Sequence, residues 1–278
     1  KDNIVFHCIM FPAMLHEHGE FILPDNVPAN EFLNLQGNKL STSKNYAVWL
    51  DDYLQKFPVD PLRYYLAINA PETRDADFTW QEFQARNNSE LADILGNFIN
   101  RTLTFASKHF RATVPGLGEL DENDKNMLQL LSEAPKTIGS YLENFELRRA
   151  ITALMDVARA CNKFFNDQEP WLTLNQNPAK CATTIHICVQ ACHTLAILME
   201  PFLPFSAERL WRILGIKTTI HEQKWDSAGV DLLPPGHKIG QVEILFAKMD
   251  NDVIQPEIDR LEKIKEQLQK PEDSMQEH

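Results

Sequence analysis

The stretch DPLRYYLAINAPETRDADFTWQE, residues 60–82, carries two helix starts in close succession. Asp60 followed by Pro61 places a side-chain acceptor before a proline at the first helical position, where the missing N–H leaves nothing unsatisfied. Thr79-Trp80-Gln81-Glu82 has capping-box spacing, with Glu82 able to reach back to the cap. Upstream of this stretch, the first 45 residues mix strand and loop signals. An apolar run ends at Pro12, prolines cluster over 24–28, and Glu31-Phe32-Leu33-Asn34-Leu35 alternates toward Gly37-Asn38, which predicts a strand and a turn. A helix is predicted to begin near Tyr46. Downstream, periodicity and stop signals predict helices over 80–110, 121–141, 144–166 and 178–200, and from Ser206 to a stop at Gly215. In the fourth of these, Ile185, Val189, Cys192, Ala196 and Met199 recur at three- and four-residue steps, which is a core face. The fold class is therefore mainly α, a bundle of about five helices after the end of an α/β domain. Residues 216–250 read as loop and short strand, with Val242-Glu243-Ile244-Leu245-Phe246 the best strand. An amphipathic helix follows with Ile254, Ile258, Leu261 and Leu268 on one side, then a polar, linker-like tail ending in Glu277-His278. The expected divisions are 1–45, 46–80, 81–250 and 251–278.

The 278 residues are 44% hydrophobic and 24% charged, enough apolar chain for a sizeable core and unlike a disordered or fibrous protein. No apolar run is expected to reach the roughly 20 residues of a membrane span, and no basic-then-apolar leader is present, so a soluble, cytoplasmic protein without a membrane partner is expected. The five cysteines, Cys8, Cys161, Cys181, Cys188 and Cys192, form no Cys-x-x-Cys pair and read as reduced, buried thiols. A net charge of −12 argues against coating DNA or RNA through bulk charge, but leaves room for a local basic stripe. Because Lys1 leads straight into Ile4-Val5-Phe6, the sequence reads as a piece of a longer protein.

Three local signals stand out. Gly37-Asn38-Lys39-Leu40-Ser41-Thr42-Ser43-Lys44 joins a glycine hinge to two lysines and three hydroxyls, a composition that can fold over polyphosphate and that equally describes solvated surface. Asn97 and Arg101 lie four residues apart within residues 96–118, which include Lys108 and Arg111 and no acidic residue. An amide and a guanidinium so placed can pair with unstacked bases, or can form an ordinary polar helix face. Glu169-Pro170-Trp171 holds a tryptophan at a helix end, near Lys163, where it is either a stacking platform or a core plug.

Lys39-Leu40-Ser41-Thr42-Ser43 resembles the Lys-Met-Ser-Lys-Ser signature loop of class I aminoacyl-tRNA synthetases, and it stands where that family joins its catalytic and helical domains. Residues 1–15, including Lys1-Asp2-Asn3-Ile4-Val5-Phe6-His7 and Phe11-Pro12-Ala13-Met14-Leu15, are similar to the second half of the catalytic domain in the methionyl-tRNA synthetase family. The passage from Pro201-Phe202-Leu203-Pro204-Phe205 to Glu208-Arg209-Leu210-Trp211 resembles one shared by class I synthetases with helical anticodon domains. The resemblance spans residues 1–268. It implies a C-terminal remnant of a Rossmann-like catalytic domain followed by a helical anticodon-binding domain.

The resemblance also implies roles. Lys39, Ser41, Thr42, Ser43 and Lys44 would form the catalytic loop, Lys1, Asp2 and Lys39 would lie near ATP, and His7 and Phe11 would line a methionine pocket. Asn97, Arg101 and Trp171 would read the CAU anticodon of tRNA(Met). In many members tryptophan stands where this chain has Phe11. Thr42 occupies the place of the signature's second lysine, whose charge Lys44 would supply. Leu40 for methionine conserves volume. The His-Ile-Gly-His signature, the first half of the nucleotide fold and the zinc-bearing insertion have no counterpart here. His16-Glu17-His18-Gly19 is not that signature and reads as surface rather than as metal ligands. The implied cofactor of the parent enzyme is ATP with Mg2+, with any zinc held by the upstream insertion. The expected partners are tRNA(Met), methionine and ATP, and the piece alone is expected to bind no metal or cofactor and to be inactive. Two rival readings are a synthetase for leucine, isoleucine, valine or cysteine and a non-enzymatic helical RNA- or protein-binding module.

Overall fold

The computed structural model describes residues 1–230 and 232–269, so the polar tail lies outside the described residues. The chain divides into two units, one built from Lys1–Ala47, Asn69–Thr79 and the stretch from Leu261 onward, the other from Val48–Ile68 and Trp80–Arg260.

In the first unit a π-helical turn, Phe6–Met10, runs directly into α1 (Phe11–His18), and none of their side chains is buried. The strand expected before Gly37 is present. β1 (Leu33–Leu35) pairs antiparallel with β2 (Asn38–Lys39), and Gln36 and Gly37 between them both take positive φ, 48° and 74°. That is the turn whose twist matches a two-residue hairpin. β3 (Ala76–Phe78), which the sequence reading missed, pairs parallel with β1, Leu33 opposite Ala76 and Leu35 opposite Phe78. Three residues are too few for alternation to register. Tertiary bonds hold the strand instead, as Asp77 accepts the Gly37 N–H at 2.9 and 3.0 Å and Asn69 donates to the Asp77 carbonyl at 2.7 Å. No helix begins at Tyr46. That residue is buried, exchanges backbone hydrogen bonds with Ser41 at 2.9 and 3.0 Å, and donates its hydroxyl to the Leu35 carbonyl at 3.1 Å. The next helix, α2 (Leu50–Lys56), starts four residues later.

In the second unit α3 (Val59–Ile68) starts just before Asp60, so Asp60 is not its cap. The Asp60 carboxylate is buried and accepts the Ser206 N–H at 2.6 Å. It thus satisfies an orphan donor in the first turn of a different helix, which spans Pro204–Ile213. The run expected over 80–110 comprises α4 (Trp80–Arg86), a π-helical stretch Asn87–Gly96, and α5 (Asn97–His109). The π-helical stretch is clamped at its start by amides. Asn87 donates to the Ala247 carbonyl at 3.0 Å, and Asn88 accepts the Met249 N–H and donates to its carbonyl at 2.8 and 2.9 Å.

The remaining helices are α6 (Glu122–Glu143), α7 (Leu147–Asp167), α8 (Pro170–Gln176), α9 (Pro178–Met199), α10 (Pro204–Ile213) and α11 (Asn251–Gln269). α6 opens on a reciprocal cap, Asp121 with the Asp124 N–H at 2.9 Å and Asp124 with the Asp121 N–H at 3.1 Å. α7 packs along α6, and α9 is covered by α5, α6, α7, α8 and α10. The expectation about apolar runs is corrected here. Residues 178–199 form a helix long and apolar enough to cross a membrane by length and composition, but 94% of its apolar window is buried inside the protein. It is a core helix, hydrophobic on all sides because protein surrounds it. α10 ends as expected at Gly215, whose φ of 75° and whose missing Cβ, which would lie 2.1 Å from the Lys238 carbonyl oxygen, both require glycine.

Val242–Phe246 is not a strand. The carbonyls of Ile244 and Leu245 accept from the Arg209 guanidinium at 2.8 and 3.1 Å, leaving no ladder partner in their place. In α11, Ile254, Ile258 and Leu261 are buried as expected, whereas Leu268 is exposed. Four cysteines are buried free thiols. Cys8 is exposed, as is every residue of the π-helical turn that carries it. Burial pushes the Cys161 thiol up to about 12.

Candidate functional site

The end of α7 and the start of α8 form a corner whose shape follows from the sequence Glu169-Pro170. A residue before proline is driven out of the right-handed helical region, and Glu169 takes φ 42°, ψ 57°, which stops α7 and lets Pro170 open α8. Trp171 is thereby turned outward and is 44% exposed, so it is no core plug. Its ring lies 6.1 Å from that of Phe165 on α7, and the Arg101 guanidinium from α5 sits 4.5 Å from the Phe165 ring centre and 5.9 Å from that of Trp171. A cation over aromatic faces is held in place without a carboxylate, leaving its in-plane donors for a ligand. Asn97 is exposed one helical turn before Arg101, so the structure brings Asn97, Arg101 and Trp171 to one surface. Lys163 is exposed nearby and pairs with Asp167. Phe165 has no motif to announce it. Only the tertiary arrangement reveals it as a ring that meets both the arginine and the tryptophan.

In the first unit, the hairpin carries Lys39 at the end of β2, and the Ser41–Tyr46 bridge closes a four-residue loop of Thr42, Ser43, Lys44 and Asn45. Asn45 takes φ 52° and donates its N–H to the Thr42 carbonyl at 3.0 Å. Ser41 and Ser43 share a hydroxyl hydrogen bond at 3.3 Å. A groove of about 400 Å³ runs beside this loop, lined by Asn38, Lys39, Leu40, Ser41, Lys44 and Tyr46 together with Lys265 and Leu268 of α11. Among the described residues three lysines and no carboxylate line it, which suits an anion. Lys265 lies 221 residues beyond Lys44, at a distance no local motif could bridge.

Lys1 is already engaged. Its ammonium contacts the carboxylates of Glu31 and Asp75 and lies 4.6 Å from the Phe32 ring centre. The Phe32 N–H, 3.0 Å from Asp75, together with Lys1, holds the Asp75 carboxyl below the usual range. Asp2 is exposed. His7 and Phe11 are also exposed, and their rings are not in contact with each other. The π-helical turn instead stacks Phe6 on Phe11, five residues on, at 6.0 Å. The Nδ1–H of His7 is placed to donate to the Asn3 carbonyl at 3.1 Å. His16, Glu17 and His18 are exposed, and among the described residues no three metal-ligating side chains gather.

Residues 1–103 match the family model of the class I tRNA synthetases (M), and residues 114–265 match that of the anticodon binding domain of methionyl tRNA ligase. The chain belongs to the methionyl-tRNA synthetase family. Within that family it is 47% identical to the methionine–tRNA ligase of Flavobacterium johnsoniae, over 95% of this chain and 41% of that protein. It is 51% identical to that of Flavobacterium psychrophilum, over 95% of this chain and 39% of that protein. The chain thus spans about two-fifths of the length of these curated relatives. Among solved structures, the apo form of Mycobacterium tuberculosis methionyl-tRNA synthetase superposes with a TM-score of 0.80 at 25% identity, covering 90% of this chain and 48% of that one. The same enzyme in complex with methionyl-adenylate gives 0.78 at 26% identity, covering 88% and 48%. The fold of the methionyl-tRNA synthetase family therefore accounts for both a helical bundle and a class I remnant in one chain.

Proposed function

We propose that this chain forms the signature-loop and anticodon-reading parts of a methionine–tRNA ligase acting in the cytoplasm. In that reaction the methionine carboxylate attacks the α-phosphate of ATP, releasing pyrophosphate, and the acyl group then passes from the adenylate to the 3′ end of tRNA(Met), releasing AMP. The observation that carries the reading is the Arg101–Phe165–Trp171 stack with Asn97 one turn away. The tryptophan offers a ring for a base to stack on, and the guanidinium and amide offer donors to the edges of unstacked CAU bases. The lysine-lined groove supports the catalytic half of the reading. Lys39 and Lys44 neutralise charge on the leaving pyrophosphate while Ser41, Thr42 and Ser43 donate hydroxyl hydrogens to phosphate oxygens. Magnesium enters as the counter-ion that ATP brings with it. Lys1 and Asp2 are assigned to the nucleotide side, His7 and Phe11 to the methionine side, and the divisions 1–45, 46–80, 81–250 and 251–278 to successive parts of the enzyme.

The test is a titration with tRNA(Met) and with the same tRNA carrying an altered anticodon, at one fixed low salt concentration because phosphate contacts are salt dependent. Preference for CAU is expected, and Trp171→Ala is expected to abolish it. Equal affinity for both tRNAs in the unaltered chain would refute the reading. In the complete ligase, Lys39→Ala and Lys44→Ala are each expected to slow adenylate formation. An unaffected rate in Lys44→Ala would show that Lys44 does not stand in for the lysine that Thr42 replaces.

A further inference from the structure

The face of α5 that carries Asn97 and Arg101 continues beyond them. Asn97, Arg101, Phe105 and His109 follow at four-residue steps, so each neighbours the next along a stripe that winds about 40° round the helix per step. The structure shows this stripe joined into a run of rings. His109 lies 4.5 Å from Phe105, Phe105 meets Phe165 edge-on at 6.3 Å, and Phe165 leads to Trp171 at 6.1 Å. Phe165 is buried and Phe105 half-buried, so Trp171 and His109 are the two exposed ends of the run. Past His109 the helix stops at Phe110, and Arg111 and Ala112 both take positive φ, 55° and 51°, with Arg111 exposed two residues beyond His109. Lys108 is exposed on the last turn, and residues 96–118 contain no carboxylate to compete for these cations.

From Arg101 to His109 is eight residues, or about 12 Å along the helix axis. A base on His109 is therefore not the base on Trp171. We infer that His109, backed by Phe105 and flanked by Lys108 and Arg111, is a second stacking platform that takes an unpaired anticodon-loop base outside the triplet. This rests on the anticodon reading above. His109 would add affinity common to all anticodons, whereas Trp171, Arg101 and Asn97 would supply the discrimination.

The experiment uses the full chain and RNA hairpins corresponding to the anticodon arm of tRNA(Met). His109→Ala is expected to weaken binding about five- to tenfold, at the lower end of what one stacked base contributes. The loss is expected to be the same for CAU and for an altered anticodon, so the ratio between them is unchanged. His109→Tyr is expected to restore affinity, because the tyrosine keeps the ring. With hairpins made abasic at each loop position in turn, the effect of His109→Ala is expected to vanish at one position outside the triplet. Wild-type affinity in His109→Ala, or a loss that persists undiminished with every abasic hairpin, would overturn the proposal. Failure of the underlying reading looks different, since the two anticodons would then bind alike in the unaltered chain and Trp171→Ala would change nothing, and that result overturns both.

Discussion

α9 and the first 47 residues sit at opposite extremes of burial. Eighteen of the 22 residues of α9 are buried, whereas residues 1–47 bury only Leu35, Tyr46 and Ala47. The bundle is held by apolar area removed from water on every side of a central helix, worth about 1.5–3 kcal/mol for each fully buried large side chain. The first segment is held by a two-residue turn, a buried tyrosine hydroxyl, and the Lys1, Glu31 and Asp75 ion pairs, which are partly exposed and individually weak. The candidate sites follow the same division. The Arg101–Phe165–Trp171 stack is braced by the core behind it, while the lysine groove lies on a hairpin with little core of its own.

That contrast can be broken experimentally. Leu195→Ala, at a fully buried position of α9, is expected to lower stability by about 2–5 kcal/mol in urea titrations followed by circular dichroism. A loss below about 1 kcal/mol would mean that α9 is not the centre of the core. Lys180→Ala removes the partner of Asp121 and of the fully buried Asp124, both 2.7 Å away, and is expected to destabilise by about 3 kcal/mol through the uncompensated carboxylate.

His186 sharpens the comparison through pH. Burial lowers its pKa below 6.5, its Nδ1–H is placed to donate to the Pro115 carbonyl at 2.9 Å, and Gln190 donates to its Nε2 at 3.1 Å, an arrangement that fits the neutral ring. The unfolded chain therefore takes up the proton first. This contribution to stability is complete above pH 6.5 and is lost as pH falls through 6.5 toward the lowered value in the fold. Melting temperatures measured between pH 5 and 8 should show this slope, and His186→Gln should flatten it. At the other extreme, Ile9→Ala in the exposed π-helical turn, where Ile9 is 63% exposed, is expected to change stability by less than about 0.5 kcal/mol. A larger loss in the same urea titration would show that the first segment has a core of its own.

Much of the bundle was legible in the sequence because its signals are local. The helices over 121–141 and 178–200, the stop at Gly215 and the presence of a turn at Gly37, one residue earlier than the expected Gly37-Asn38, depend on periodicity over a few turns or on one backbone angle. The candidate anticodon residues were equally legible as residue types, since Asn97 and Arg101 share a helix face by spacing alone. Three features were not. Asp60 looked like the cap of its own helix and instead serves α10, because a buried carboxylate bonds whichever orphan N–H packing brings to it. Val242–Phe246 had the composition of a strand, but Arg209 takes two of its carbonyls. The π-helical stretch Asn87–Gly96 is clamped by hydrogen bonds that the Asn87 and Asn88 side chains donate to the carbonyls of Ala247 and Met249, about 160 residues away.

By itself, then, the sequence determined which segments are helical, which residues carry charge or rings, and the family whose motifs they match, because propensity, capping and spacing act within a few residues. Only the tertiary structure decided that the apolar helix is enclosed by protein, that Arg101 meets both Phe165 and Trp171, that Lys265 joins Lys39 and Lys44, and that Phe105 and His109 of α5 join Phe165 and Trp171 in one run of rings. Those outcomes depend on contacts between residues far apart in the chain. Their energies arise only once packing has excluded water and fixed distances of a few ångströms, and no local pattern encodes them.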